Sequence, residues 1–366
     1  MKILQVINTL DTGGAEKLLL ETIPLFNEKE ILMDVLVFDK KLGVCLNKLQ
    51  EMNCCRVHSL NSNSLYSPFN IFKIIPYFKK YDLIHVHLFP AQYWVVLAKI
   101  ISFSKVKLVF TEHSSFNRRR QSFFFRGLDK FIYKYYDKII CISNGVKNEL
   151  LRVFKLPLNN LITIENAIDL KKFENVILLD KIDIHKLIFE HDKLLVQVSK
   201  FRAEKDQITV IKSMLLLPDH IKLILVGEGP LRIECEMLVN VLSLEKRVFF
   251  LGNRNDVERI LKTADLSILS SHWEGFGLVA VEGMAASKPV IASDVIGLSE
   301  IVAGAGLLFE RGNEIQLANI IKNLLLSENF DFYNDISNKC KIRAKQYDIN
   351  KMIIKSINLY NILLSN

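Results

Sequence analysis

The chain has 366 residues, half of them apolar, and carries 48 Lys and Arg against 40 Asp and Glu, a formal net charge of +8. That length points to two domains with apolar residues enough for two cores, and the basic excess favours anionic partners while being too dispersed for a nucleic-acid binder. Six cysteines without metal-ligand spacing and an N-terminus that reads as a strand rather than a secretory leader point to reduced thiols in a cytoplasm, and the longest apolar run, 89–103, holds Gln92 and Lys99 and is too short and polar to span a bilayer.

In chain order, a strand at 2–8 runs into a turn carrying Gly13 and Gly14 and then a helix start. Such a turn can cradle a phosphate or sugar, or can be an ordinary turn that uses glycine for a positive φ; it is not the G-x-G-x-x-G of dinucleotide sites. Further strands are expected at 32–38 and 82–87, the latter with His85 and His87 alternating on one face. The strand at 106–112 delivers His113, which can orient a hydroxyl or stabilise a charged intermediate, although a lone histidine is more often structural. Next comes Phe116 to Arg126, with Arg118, Arg119 and Arg120 followed by Phe123, Phe124, Phe125 and Arg126. Lys130, Lys134 and Lys138 continue the basic character. Cations beside aromatics suit an anionic membrane surface, and a solvated helix face over a buried Phe stripe is the competing reading. After a strand at 138–142, Ser143 and Asn144 read as a helix N-cap.

The interdomain linker is placed near 167–172, between a first domain at 1–168 and a second at 172–346. The second half has strands at 193–198, 221–226, 247–251, 265–270 and 288–292. Strands alternating with helices imply parallel sheets. Arg202 and Lys205 follow the first of these strands, where open α/β sheets bind ligands and where arginine and lysine can hold phosphate. A solvated charged turn is the commoner fate of such residues. Gly227 lies in a glycine turn with Gly229 and Pro230, read as structural with some ligand proximity. Asn253 and Arg254 follow the next strand. Glu274 and Glu282 bracket Gly275, Phe276, Gly277 and Leu278, the last at the start of a helix. This stretch offers carboxylates for hydroxyls, backbone N–H groups and a positive dipole end for an anion. No Asp-X-Asp, no His/Cys cluster, no Gly-x-Ser-x-Gly and no Walker loop occurs, so neither a bound metal nor any other cofactor is expected, and hydrolase and kinase readings lose their support.

The ordered set Gly13-Gly14, His113, Ser143-Asn144, Asn166 to Asp169, Arg202 with Lys205, Val226 to Pro230 and Glu274 to Glu282 resembles the retaining GT-B glycosyltransferases of family 4, the glycosyl transferases group 1 type. The resemblance covers nearly the whole chain and departs from the family at Ala167 and Asp206, where glycine is usual. It implies two Rossmann-like parallel-sheet domains facing across a cleft, the final helix at 347–366 completing the first. It further implies that Arg202 and Lys205 hold the donor pyrophosphate and that Glu282 accepts from the ribose. Glu274 and the amides of Phe276, Gly277 and Leu278 would position the sugar and phosphate, with His113 beside the anomeric carbon.

The expected activity is therefore metal-independent, retaining transfer from a nucleotide-sugar, UDP preferred. The acceptor would be a glycan or a polyprenyl-pyrophosphate-linked sugar in bacterial surface polysaccharide synthesis. The expected location is cytoplasmic, peripheral on the inner membrane, docked through the Arg118 to Arg126 segment. A nucleotide-sugar 2-epimerase or a non-catalytic sugar-binding subunit are the alternatives; the second is disfavoured by intact Arg202, Lys205, Glu274 and Glu282.

Overall fold

The computed structural model describes residues 1–39, 43–326 and 330–365, with the side chains of Arg118 and Phe330 outside the described set. The chain divides into two compact units, Met1–Asn166 together with Ile349–Asn366, and Ala167–Asp348.

The first unit is a parallel sheet of seven strands: β1 (Lys2–Ile7), β2 (Leu32–Val37), β3 (Val57–Ser59), β4 (Leu83–His87), β5 (Lys107–Glu112), β6 (Lys138–Cys141) and β7 (Leu161–Thr163), in spatial order β3-β2-β1-β4-β5-β6-β7. Apolar runs become strands here because both faces are covered. Ile3, Leu4, Val6, Ile7, Leu83, Ile84, Val86, Leu108 and Val109 are fully buried. The order reverses after β1, so right-handed crossovers lay helices on both faces and open a crevice at the carboxyl ends of β1 and β4. The helix Ile349–Ser365 packs on the helix Gly14–Glu28, with Tyr360 and Phe26 ring centroids 6.2 Å apart.

The second unit is a six-stranded parallel sheet: β8 (Lys193–Val198), β9 (Ile221–Val226), β10 (Val248–Gly252), β11 (Leu266–Leu269), β12 (Val290–Ser293) and β13 (Leu307–Phe309), ordered β10-β9-β8-β11-β12-β13. Its reversal falls between β8 and β11. The ten strands expected from sequence all form, with no end shifted by more than two residues. The three not anticipated, β3, β7 and β13, have three residues each and lie at sheet edges. A segment that short shows no periodicity, and edges are where short strands are tolerated.

Candidate active site

In the second unit, the turns after β8 and β11 are tied together. Gln197, inside β8, donates its amide N–H to the carbonyl of Lys205 (2.9 Å) and to the Ser270 hydroxyl (3.1 Å). Ser270 in turn reaches the carbonyls of Lys205 (3.0 Å) and Asp206 (2.7 Å), and the His272 amide donates to the Glu204 carbonyl (2.8 Å). This wiring aims Lys205 at Glu274. The ammonium contacts both carboxylate oxygens, at 2.8 and 2.7 Å, with the two side chains 22% and 18% exposed. Two of the three ammonium hydrogens are thereby engaged, and the third can meet a phosphate oxygen. Arg202 stands apart. Its guanidinium is 4.0 Å from Glu204 and 56% exposed, a loose tether that a bound anion can displace.

Asp206, where glycine was the expected residue, sits at φ 45°. Aspartate is among the few residues that tolerate the left-handed region. It also caps the helix Gln207–Ser213, accepting from the Thr209 amide at 3.3 Å and hydroxyl at 2.6 Å. Ala167, the other departure, is buried at 2% and is not among the positive-φ positions.

Glu274 lies four residues before the helix Leu278–Ala285, which starts on Gly277 at φ 93°. A Cβ on Gly277 would overlap Leu298, and one on Gly297 would overlap the Glu274 carbonyl, so the loop after β12 packs directly on this stretch. The Glu274–Gly277 loop is therefore pinned by close contacts at Gly277 and Gly297. Phe276 is buried edge-on to Tyr347, ring centroids 5.3 Å apart, and Glu282 is 4% exposed in the second turn of the helix. Gly227 (φ 133°) and Gly229 are explained by close backbone approach, since a Cβ at either would run into the carbonyls of Ser199 and Phe201. Arg254 is held on Asp256 by two bonds of 2.8 and 2.7 Å, and Asn253 beside it is exposed. Among the described residues, no group of three or more His, Cys, Asp or Glu is placed to hold a metal ion.

In the first unit, Gly13 caps the helix Gly14–Glu28 at φ −166°, so its glycine is not required by a positive φ; a Cβ there would meet the Glu16 carboxyl. Asn8 links the turns after β1 and β4, donating to the Phe89 carbonyl (2.7 Å) and accepting from the Ala91 amide (3.2 Å). His113 lies just past β5. Its Nε2 is 3.0 Å from His87 Nδ1, and His87 Nε2 is 2.8 Å from Gln5 Oε1. Burial pulls His113 down to about 4 and His85 down to about 3, and pulls His87 well below its ordinary value, so all three rings are neutral near pH 7. Ser143 is the N-cap read from the sequence, its side chain accepting from the Val146 amide at 3.1 Å.

The arginine-rich segment requires a correction. Arg119 and Arg120 are not surface cations. Arg119 donates to Asp129 at 3.1 Å and stacks on Phe89, 3.8 Å from the ring centroid. Arg120, 8% exposed, bonds Glu112 and, at 2.9 Å, the Tyr133 hydroxyl. They moved inward because Glu112 and Asp129 are buried carboxylates that need cationic partners. The Arg118 side chain lies outside the described residues. The aromatic half of the segment does face solvent: Phe123 is 83% and Phe124 70% exposed, with Arg126 over the Phe123 ring at 5.7 Å. Among the described residues no helix is long and apolar enough to cross a membrane.

Sequence reading missed Gln5, Gln197, Ser270 and the Glu112–Arg120–Asp129 network. One signal was available: Gln5 and Gln197 are lone amides inside otherwise apolar strands at the two points of order reversal.

Two family descriptions match the chain: "Glycosyltransferase Family 4" over residues 12–172 and "Glycosyl transferases group 1" over 180–346. An N-acetyl-alpha-D-glucosaminyl L-malate synthase of Bacillus anthracis is 31% identical over 68% of this chain and 66% of its own length. An N-acetylgalactosaminyltransferase of Campylobacter jejuni, named for an N-acetylgalactosamine-N,N'-diacetylbacillosaminyl-diphospho-undecaprenol acceptor, is 27% identical over 93% of this chain and 94% of its own length. The crystal structure of Anabaena HepE with UDP and glucose superposes with a TM-score of 0.85 over 99% of both chains at 23% identity, a likeness of fold.

Proposed function

The chain belongs to the family 4 glycosyltransferases, enzymes of the GT-B fold, and from that premise we propose that it transfers a sugar from a UDP-sugar to a polyprenyl-diphosphate-linked or glycan acceptor, with retention and without a metal ion. The observation that carries this reading is the Lys205–Glu274 clasp at the carboxyl ends of β8 and β11, beside the N-terminus of the helix Leu278–Ala285. A departing nucleoside diphosphate gains negative charge as the glycosidic bond breaks. The third Lys205 hydrogen, the loosely held Arg202 and the helix N-terminus can meet that charge without a cation. Glu274, held by Lys205, offers carboxylate oxygens to sugar hydroxyls, and Glu282 has the chemistry to accept from a ribose. Asn253 and Arg254, which follow β10, are the residues we assign to the nucleotide. In the first unit, Gly13, Gly14 and His113 are the residues we assign to the transferred sugar. Attack from the face of departure lets the leaving phosphate take the acceptor proton, so no carboxylate pair at glycosidase spacing is required.

A lipid-linked acceptor also accounts for Phe123, Phe124 and Arg126, which we assign to an anionic membrane surface on the cytoplasmic side; Arg119 and Arg120 are excluded from that role by their buried partners. The test is a thermal-shift screen of nucleotide sugars, followed by nucleotide release with a lipid-linked acceptor pool in the presence of a chelator. Stabilisation by a UDP-sugar and chelator-insensitive release are expected. No stabilisation by any nucleotide sugar, or turnover that needs no acceptor, would overturn transfer. Release abolished by chelation would overturn the metal-free reading.

A further inference from the structure

The hydrogen-bonded chain running from Gln5 through His87 to His113 has a direction. Gln5 Nε2 donates to the Met33 sulfur at 3.3 Å. The amide nitrogen therefore points at that acceptor and Oε1 at His87. A carbonyl oxygen only accepts, so the proton of the 2.8 Å contact is on His87 Nε2. A neutral His87 then has a bare Nδ1. The contact to it at 3.0 Å is filled by the Nε2–H of His113. His113 Nδ1 is left as that ring's acceptor.

We propose that Gln5 and His87 are positioning residues that lock His113 in its Nε2–H tautomer, so that its Nδ1 accepts a hydrogen bond from a hydroxyl of the bound sugar. This rests on the glycosyl-transfer reading of the preceding section for its ligand, but the tautomer stands on the hydrogen-bond geometry of neutral rings. An imidazole so fixed reads a hydroxyl and offers no N–H from Nδ1 to a phosphate.

The experiment is ¹⁵N NMR of the histidine rings at pH 7.5 in the parent, Gln5→Met and His87→Gln, with kcat and KM measured on the donor the parent turns over fastest among UDP-glucose, UDP-galactose and UDP-N-acetylglucosamine. The parent is expected to show a single Nε2–H tautomer for His113. Gln5→Met should give mixed tautomers for His87 and His113 and lower kcat/KM about tenfold, the scale of one misdirected hydrogen bond. His87→Gln, a second variant in case the first folds poorly, should likewise mix the His113 tautomers. An Nδ1–H tautomer of His113 in the parent, or unchanged His113 spectra in both variants, would overturn the wiring. A changed tautomer with unchanged kcat/KM would overturn the positioning role. If the parent turns over no donor, the transfer reading fails while the ring spectra still decide the tautomer.

Discussion

Lys205 and Glu274 neutralise one another before any ligand arrives. Removing the lysine therefore does two things: it deletes a cation that can meet the leaving phosphate, and it releases a carboxylate that would repel it. Lys205→Ala is expected to lower kcat by about 10²-fold or more, the range for losing one preorganised electrostatic contact, with a smaller effect on donor affinity. Glu282→Ala should act oppositely, weakening donor binding while kcat falls little. Steady-state kinetics and calorimetric titration with a UDP-sugar separate the two. Unchanged kcat in the first variant and unchanged affinity in the second would sink these assignments. The sequence alone placed Lys205 in the turn after a strand and Glu274 just before a helix. It could not show that they pair, because the pairing depends on β8 and β11 being neighbours although 67 residues separate the end of one from the start of the other.

At the level of elements, the loop into the helix Leu278–Ala285 is set by backbone contacts. Gly277→Ala would place a Cβ at φ 93° against Leu298, which should destabilise the unit by roughly 1–3 kcal/mol, read as a lower Tm, with loss of donor binding. The segment after β5 divides into two parts with different jobs. Arg120→Ala would strand the buried Glu112 carboxylate, and a loss of about 3–5 kcal/mol is expected, visible in the urea midpoint. Arg126→Glu is expected to leave that midpoint unchanged and to reduce flotation with anionic vesicles. Equal flotation of Arg126→Glu and the parent would remove the membrane assignment. Sequence pattern could not separate the arginines, because Arg119, Arg120 and Arg126 look alike until Asp129 and Glu112 are seen buried within reach of the first two.

For the whole molecule, both units repeat one design: a parallel sheet whose order reverses at its first strand, with a glutamine inside that strand wired toward the turn residues. Neutral buried histidines in the first unit make stability depend on pH. In the folded state His113 is held down to about 4 and His85 to about 3, against 6.5 when unfolded. Below pH 6.5 the unfolded chain takes up protons that the folded chain refuses, so stability is fully present above 6.5 and is lost as pH falls toward 4. The slope is about 1.4 kcal/mol per pH unit for each such histidine. Tm measured from pH 7.5 to 5 should decline, and a flat profile would contradict neutral burial of these rings.

The sequence by itself determined the fold class, the long strands and the order of the polar turns that follow them. Apolar runs and glycine turns are local signals, and a parallel sheet buried on both faces prints its strands directly into composition. Only the tertiary structure decided which turn residues meet: Lys205 with Glu274, Gln5 with His87 and His113, Arg120 with Glu112. Those partners are set by strand order and crossover, and no local spacing encodes which distant carboxylate or imidazole a side chain will find.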